Sequence, residues 1–507
     1  MRDARVNRSY RTYRTYMAAT AFLVSLSVVA HSPQISDPWP QPIVKGTWIV
    51  AGPEASATAR ERFLDLAGGE NAKIVLFADS ENGWSDVKTA SKRVFGSSND
   101  GGELEEIAAL VKATGVWLEG MSGRSALEKR VSLDAVLKAK HRGIPVMVIG
   151  EAVAAQPIEG VALQTQYGED QKPTLLKLIG TGIPKLGIGI PKDAVMVIRD
   201  RNVTVSAGHE LTLLFSKGIG GPEEVELLPA NRRADLIALR RRAIDRTRPT
   251  FPPEKFPTPN VPKGTLVIVG GGGMPEGLMA KFIELAGGPD APIVYIPCEY
   301  SEEITAEPGF VRSIRAAGAK NVKWIHTKDR NKANSDEAIL GPLREAKGIF
   351  FGGGRQWNLA DSYQDTEAHR LMREVLARGG VIGGSSAGAS IQTQYMPRGD
   401  PLGNLNIIAK GYEQGLGFLP GVGVDQHFTQ RRRQPDMESL IATYPQLLGI
   451  GIDETTAIIV QGSTAEVTGR GKVFFCDSAV KEEGKVKPTV LESGAKYDLA
   501  GKKAIDP

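Results

Sequence analysis

Only two cysteines, Cys298 and Cys476, occur in 507 residues. That scarcity excludes a disulfide-built scaffold, and neither thiol stands in a metal-binding spacing. Each ends an apolar run, which reads as a buried thiol, though one Cys298–Cys476 bridge is open to an exported chain. Charge of one sign is also lacking. The net charge of +4 traces to residues 1–30, where Arg2, Arg5, Arg8, Arg11 and Arg14 face a single acid, Asp3. Beyond them basic and acidic residues balance, so no global field recruits nucleic acid. Apolar runs long enough to span a bilayer are absent: residues 17–30 are the best candidate and number 14, against the ~20 a span needs.

What is present begins with that N-terminal segment. An arginine-rich start, a short apolar stretch and a small residue, Ala30, before a cut describe a secretory signal over residues 1–30. The expected location is secreted or periplasmic, with no stable membrane insertion after cleavage.

The remainder is written twice. Residues 45–50 (KGTWIV) match 263–268 (KGTLVI), and residues 63–76 match 282–295 with 8 identities in 14 positions. Residues 186–190 and 448–452 are both LGIGI. A period above 200 residues, in the same order, means two domains rather than a solenoid. In the second half, β-branched runs at 266–269, 293–296, 322–325, 348–351 and 381–382 alternate with helical periodicity at 275–286, 309–317, 336–346 and 367–378. Such alternation predicts an α/β fold, a parallel sheet covered on both faces. Residues 457–460 and 472–475 read as a terminal hairpin. The expected layout is a first domain over 40–229, a basic helix and Pro-rich linker over 230–262, and a second domain over 263–500. Arg240-Arg241-Arg242 in the linker reads as a solvated helix face.

The chemistry lies in the second domain. Gly384-Ser385-Ser386-Ala387-Gly388 follows an apolar run, the pattern of a nucleophile elbow. Ser386 is the candidate nucleophile, and the amide of Ala387 points at a developing oxyanion. A serine needs a base, and there are six histidines. His427 and His326 both end predicted strands; His369, in a polar helical stretch, reads as surface. Asp453 and Glu454 each offer a carboxylate to orient the ring. Gly352-Gly353-Gly354-Arg355-Gln356 is a glycine loop whose amides suit an oxyanion hole.

Taken together, Gly384 to Gly388, Gly353 to Gln356, Asp425-Gln426-His427-Phe428 and Gly451-Ile452-Asp453-Glu454-Thr455 resemble the S51 serine peptidases, in their cyanophycinase-like branch. The resemblance covers about residues 263–478. It implies a class I glutamine amidotransferase-like fold, a triad of Ser386, His427 and Glu454, and an oxyanion hole at Gly353 and Ala387. It implies a substrate pocket lined by Gln356, Asp425, Gln426, Arg431 and Arg433, with Arg431 and Arg433 clamping carboxylates and Asp425 meeting a guanidinium. The implied activity is hydrolysis of aspartyl peptide or isopeptide bonds, with a peptide as partner and no cofactor or metal. The sequence departs from the pattern twice. Asp436 stands where a third arginine is expected, and Arg355 where an acid is usual. The alternatives are an aspartyl dipeptidase of the same family and a non-catalytic binding protein. A glutaminase would need a cysteine where Ser386 stands.

The first domain lacks these residues. Val153 aligns with Ser386, Pro191-Lys192 with Asp453-Glu454, and Gly123 with Gln356. The expectation is a degenerate copy that packs on the catalytic domain, with a homo-oligomer also open.

Overall fold

Alternate residues of one strand bury into different cores, and this fixes the layering of the second half. Leu266 and Ile268 enter one hydrophobic cluster, while Val267 and Val269 enter another. The strand is therefore covered on both faces, as its unbroken apolar run requires. The computed structural model describes residues 39–41, 46–77, 84, 87–89, 91–95, 109, 112–119, 144–149, 158, 160–180, 186–219 and 221–506. The signal-like segment, Gly123 and Val153 lie outside them.

In the first half the strands are β1 (Thr47–Ala51), β2 (Lys73–Phe77), β3 (Ser91–Phe95), β4 (Gly115–Leu118), β5 (Val146–Ile149), β6 (Val161–Thr165), β7 (Leu186–Ile190), β8 (Val195–Arg199), β9 (Asn202–Val205), β10 (Glu210–Phe215), β11 (Glu224–Pro229) and β12 (Ala234–Asp235). The second half supplies β13 (Val261–Val269), β14 (Ile293–Cys298), β15 (Val322–Trp324), β16 (Gly348–Gly354), β17 (Val381–Ser385), β18 (Thr393–Tyr395), β19 (Leu419–Gln426), β20 (Leu448–Ile452), β21 (Thr456–Gly462), β22 (Thr464–Gly469) and β23 (Val473–Asp477).

The large sheet of the second half runs β15-β14-β16-β17-β13-β21-β22 before its edge strands. β13 to β17 pair in parallel, and β21 joins antiparallel. Helices Leu278–Leu285 and Gly309–Ala316 supply Phe282 and Ile314 to one face. Glu337–Glu345 and Glu367–Ala377 supply Leu343 and Met372 to the other. This is the α/β/α sandwich the periodicity predicts. The predicted terminal hairpin is different: β21 turns back onto β22, while β23 leaves for a second sheet and pairs antiparallel with β20. That second sheet runs β18-β19-β20-β23, with β19 and β20 parallel.

The first half has the same strand order, β3-β2-β4-β5-β1-β8-β9, and a second sheet containing β6-β7-β10 with β6 and β7 parallel. The halves meet through buried polar groups. The arginine run differs from its expected solvated face: Arg241 and Arg242 of helix Leu236–Asp245 are buried. The Arg241 guanidinium lies 4.1 Å from the Trp39 ring centre and 4.6 Å from that of Tyr412, and its Nε donates to the Gly411 carbonyl at 2.8 Å. Partners 170 residues distant are invisible to a local charge pattern. Arg201 adds a second tie, donating to Asp235 at 2.8 Å and to Asp361 at 2.5 Å. In the linker, Phe256 is buried in a hydrophobic cluster that also holds Tyr395 and Phe428. Both cysteines are free and buried.

Candidate active site

Residue size decides the elbow. A methyl group on Gly384 would lie 2.3 Å from the Gly388 carbonyl oxygen, and one on Gly388 would lie 2.4 Å from that of Phe351. Only glycine lets β17 turn this sharply over β16. Ser386 sits at the turn with φ 56° and ψ −114°, a region costing a non-glycine residue roughly 1–3 kcal/mol. Its amide donates to Val269 at the end of β13, at 3.0 Å. Short helix Ala387–Ser390 starts immediately after it. The Ala387 amide is in its first turn, where N–H groups have no intrahelical acceptor. Gly353, at the end of neighbouring β16, is close: a methyl there would lie 3.7 Å from Ser386 Cβ.

The second sheet brings the base and acid together. β19 and β20 run parallel in a register that pairs Gln426 with Ile452. The next residues along the two strands, His427 and Asp453-Glu454, therefore leave the sheet side by side. The Ser386 hydroxyl lies 2.8 Å from His427 Nε2, and His427 Nδ1 lies 2.6 Å from a Glu454 carboxylate oxygen. Of the two acids, Glu454 meets the ring. Asp453 is occupied by the Thr429 amide at 3.0 Å and hydroxyl at 2.6 Å, and by the Lys472 amide at 3.1 Å. His326 is bonded instead to the Glu302 carbonyl at 2.7 Å. His369 is buried, not surface: it lies on the inward face of its helix, bonded to the Leu416 carbonyl at 2.8 Å.

Burial lowers the His427 pKa below the ordinary imidazole value. The Glu454 hydrogen bond opposes that shift, and the positive charges of Arg431 and Arg433 reinforce it. Burial and the two arginines thus favour the neutral ring, the form that can accept a hydroxyl proton.

One tract supporting this geometry escaped the sequence reading. Gly270-Gly271-Gly272-Gly273 follows β13 and wedges between the sheets. The Gly270 carbonyl accepts from the His427 amide at 2.8 Å, and that of Gly271 accepts from the Thr455 amide at 2.8 Å. A methyl on Gly271 would lie 2.4 Å from the His427 ring, and one on Gly272 would lie 2.5 Å from the Glu454 side chain. Four consecutive glycines at a strand end were the available signal.

Four of the five expected pocket residues are turned inward. Asp425 is fully buried, accepting from Arg433 at 2.8 Å and from Arg398 Nε at 2.9 Å. Arg433 also donates, through the same terminal nitrogen, to the Gln426 carbonyl at 2.6 Å and to the Gln426 side-chain oxygen. Gln356 is buried and donates to Pro397 at 2.6 Å and Arg398 at 2.9 Å. One more residue completes this cluster. The partner that neutralises the cluster, Arg398, lies 27 residues from Asp425, in a segment with no motif. Arg431 alone is exposed and has no ion pair among the described residues.

Corresponding positions of the first half carry other residues. Thr165 pairs with Ile190 as Gln426 pairs with Ile452. Gln166 then stands where His427 does, with φ 57° against 51°. Lys192 occupies the place of Glu454. Gly52 and Gly270 make equivalent bonds, to Ala194 at 3.0 Å and to Thr456 at 2.8 Å.

Comparison with known proteins agrees with this architecture. The model for Peptidase family S51 matches residues 266–468. The chain is 34% identical over 203 residues to the cyanophycinase of Geminocystis herdmanii, spanning 39% of this chain and 74% of that protein. It is 31% identical over 227 residues to the cyanophycinase of Trichormus variabilis, spanning 43% and 76%. A probable alpha-aspartyl dipeptidase of Drosophila melanogaster is 29% identical over 175 residues, spanning 32% and 67%. Identity above 30% across about three quarters of a relative's length, with the family model matching residues 266–468, makes this chain a member of peptidase family S51.

Proposed function

We propose that this protein is an exported serine peptidase that hydrolyses aspartyl peptide or isopeptide bonds. The observation carrying the reading is the unbroken chain of hydrogen bonds from Ser386 through His427 to Glu454. In this reading the Ser386 hydroxyl attacks the scissile carbonyl while His427 Nε2 takes its proton. Glu454 holds the ring in the tautomer with hydrogen on Nδ1 and stabilises the imidazolium that forms. The amides of Gly353 and Ala387 receive the oxyanion. His427 then protonates the leaving amine, and water, activated by the same ring, releases the acyl group from Ser386.

Arg431 supports the aspartyl preference. It is an exposed cation near His427, suited to the side-chain carboxylate of an aspartyl residue. Similarity to cyanophycinases and to a probable alpha-aspartyl dipeptidase supports the same substrate class. Export rests on the arginine-rich, apolar character of residues 1–30. The common strand order, the Gln166 and Lys192 positions and the repeated sequence support reading the first half as a degenerate copy that braces the second.

The test is a panel of α-Asp dipeptides, β-Asp dipeptides and cyanophycin against the purified protein and its Ser386→Ala variant. Release of a free amine by the wild type, absent in the variant, is the expected result. Equal turnover by both would remove Ser386 from this role.

A further inference from the structure

Arg398 has every donor of its guanidinium engaged. Its Nε reaches both oxygens of Asp425, at 2.9 and 3.1 Å. One terminal nitrogen reaches Asp425 at 2.9 Å and Asp436 at 2.6 Å. The other donates to the carbonyls of Asn404 at 3.0 Å and Leu405 at 2.9 Å. Five N–H groups thus meet two carboxylates and two carbonyls, the full complement a guanidinium offers. The side chain is 3% exposed, whereas that of Asp436 is 44% exposed. The niche therefore opens toward solvent at Asp436 and is closed from beneath by Arg398.

The backbone at Arg398 is built for this position. Its φ is 59°, in the left-handed region that an arginine seldom adopts. Its amide donates to Ile407 at 3.1 Å, and its carbonyl accepts from Gln356 at 2.9 Å. Arg355 donates to the carbonyls of Asp400 and, at 2.6 Å, Gly403 on the same loop. The two positions at which the sequence departs from the family pattern thus serve one structural unit. Asp436 receives the Arg398 guanidinium, and Arg355 holds down the loop that follows it. Asp425 lies two residues before His427 and Gln356 two after Gly354, so the unit borders the site on both sides.

We propose that Arg398 is a specificity-determining residue: it fills the acidic niche of Asp425 and Asp436 with the chain's own guanidinium and thereby denies the niche to a basic side chain of the substrate. The proposal rests on the reading of the site as an aspartyl peptidase and deepens it. Recognition then falls on the aspartyl carboxylate, read by Arg431, and a neighbouring arginine gains nothing. The preferred substrates are aspartyl peptides without a basic residue requirement, rather than an arginine-decorated polyaspartate.

The test compares kcat/KM for β-Asp-Arg, β-Asp-Lys and β-Asp-Leu, and for α-Asp-Arg and α-Asp-Leu, in the full chain. The wild type is expected to cleave Arg and Leu forms within about threefold of each other. Arg398→Gln, which keeps polarity but vacates the guanidinium position, is expected to favour the Arg forms by tenfold or more, about 1.4 kcal/mol. A merely structural role would lower all substrates together and leave that ratio unmoved. A wild-type preference for Arg forms of tenfold or more would overturn the proposal while leaving the aspartyl peptidase reading intact. If no aspartyl dipeptide is cleaved, that reading fails, and calorimetry of agmatine binding to the Ser386→Ala protein still decides the niche. No heat is expected with Arg398 present; binding by the protein with Arg398 intact contradicts the proposal. Where Arg398→Gln does not fold, the wild-type ratio and the agmatine titration decide alone.

Discussion

His427 Nε2 stands 2.8 Å from the Ser386 hydroxyl oxygen, although 41 residues and two different sheets separate the residues. The elbow belongs to the large sheet and the imidazole to the small one. Their meeting depends on the Gly270–Gly273 tract between them. The third member, Glu454, comes from the strand beside that of His427, 2.6 Å from the far ring nitrogen.

Glu454→Gln keeps the size and removes the charge that holds the tautomer and stabilises the imidazolium. We expect kcat to fall by about 10³–10⁴-fold with little change in KM, by analogy with amide replacement of a triad acid. Steady-state kinetics on a cleaved aspartyl dipeptide measures it. A loss under tenfold would make Glu454 dispensable.

The pH profile follows from the direction of the His427 shift. The neutral ring is the active base, so kcat/KM rises as pH climbs through its pKa. Burial and the two arginines place that midpoint below the ordinary imidazole value of 6.5. Arg431→Gln removes one of the positive charges that lower it and should move the acid limb upward, more at low salt because the group is exposed. An unchanged or lowered midpoint would contradict the assignment.

Gly271→Ala tests the glycine wedge. Gly271 has φ 94°, and its added methyl would lie 2.4 Å from the His427 ring and 2.6 Å from Nε2. Displacing the ring by even ~1 Å should lower kcat by about 100-fold. Kinetics together with circular dichroism of the variant would separate this effect from unfolding. Full activity would mean that the tract does not position the base.

The strand and helix pattern of the second half was legible because burial there follows strict periodicity. Val267 and Val269 face one way, Leu266 and Ile268 the other, and the apolar run reports both. The elbow was legible because its glycines are forced by approaches as short as 2.3 Å. The pocket was not. Asp425, Arg433 and Gln426 look like separate ligand-binding groups in one dimension, whereas in the fold they are buried in one hydrogen-bonded cluster that Arg398, distant in sequence, joins. Strand exchange was equally hidden: residues 457–460 and 472–475 are both short apolar runs, yet they enter different sheets. Local pattern specifies a strand and which faces are apolar, not its neighbour.

Arg241 illustrates the same limit and gives a stability prediction. Its guanidinium is sandwiched between Trp39 and Tyr412 and lies 3.9 Å from Asp361. Arg241→Ala removes a buried cation from a network that joins the halves. The expected loss is about 3 kcal/mol, read as a lower urea midpoint. A change below ~0.5 kcal/mol would be the signature of a solvated face.

The most direct measurement is active-site labelling of the intact protein with a fluorophosphonate, followed by peptide mass spectrometry. The account predicts one adduct, on Ser386, that is lost in His427→Ala. An adduct on another serine, or none on a folded protein that cleaves aspartyl peptides, would contradict it.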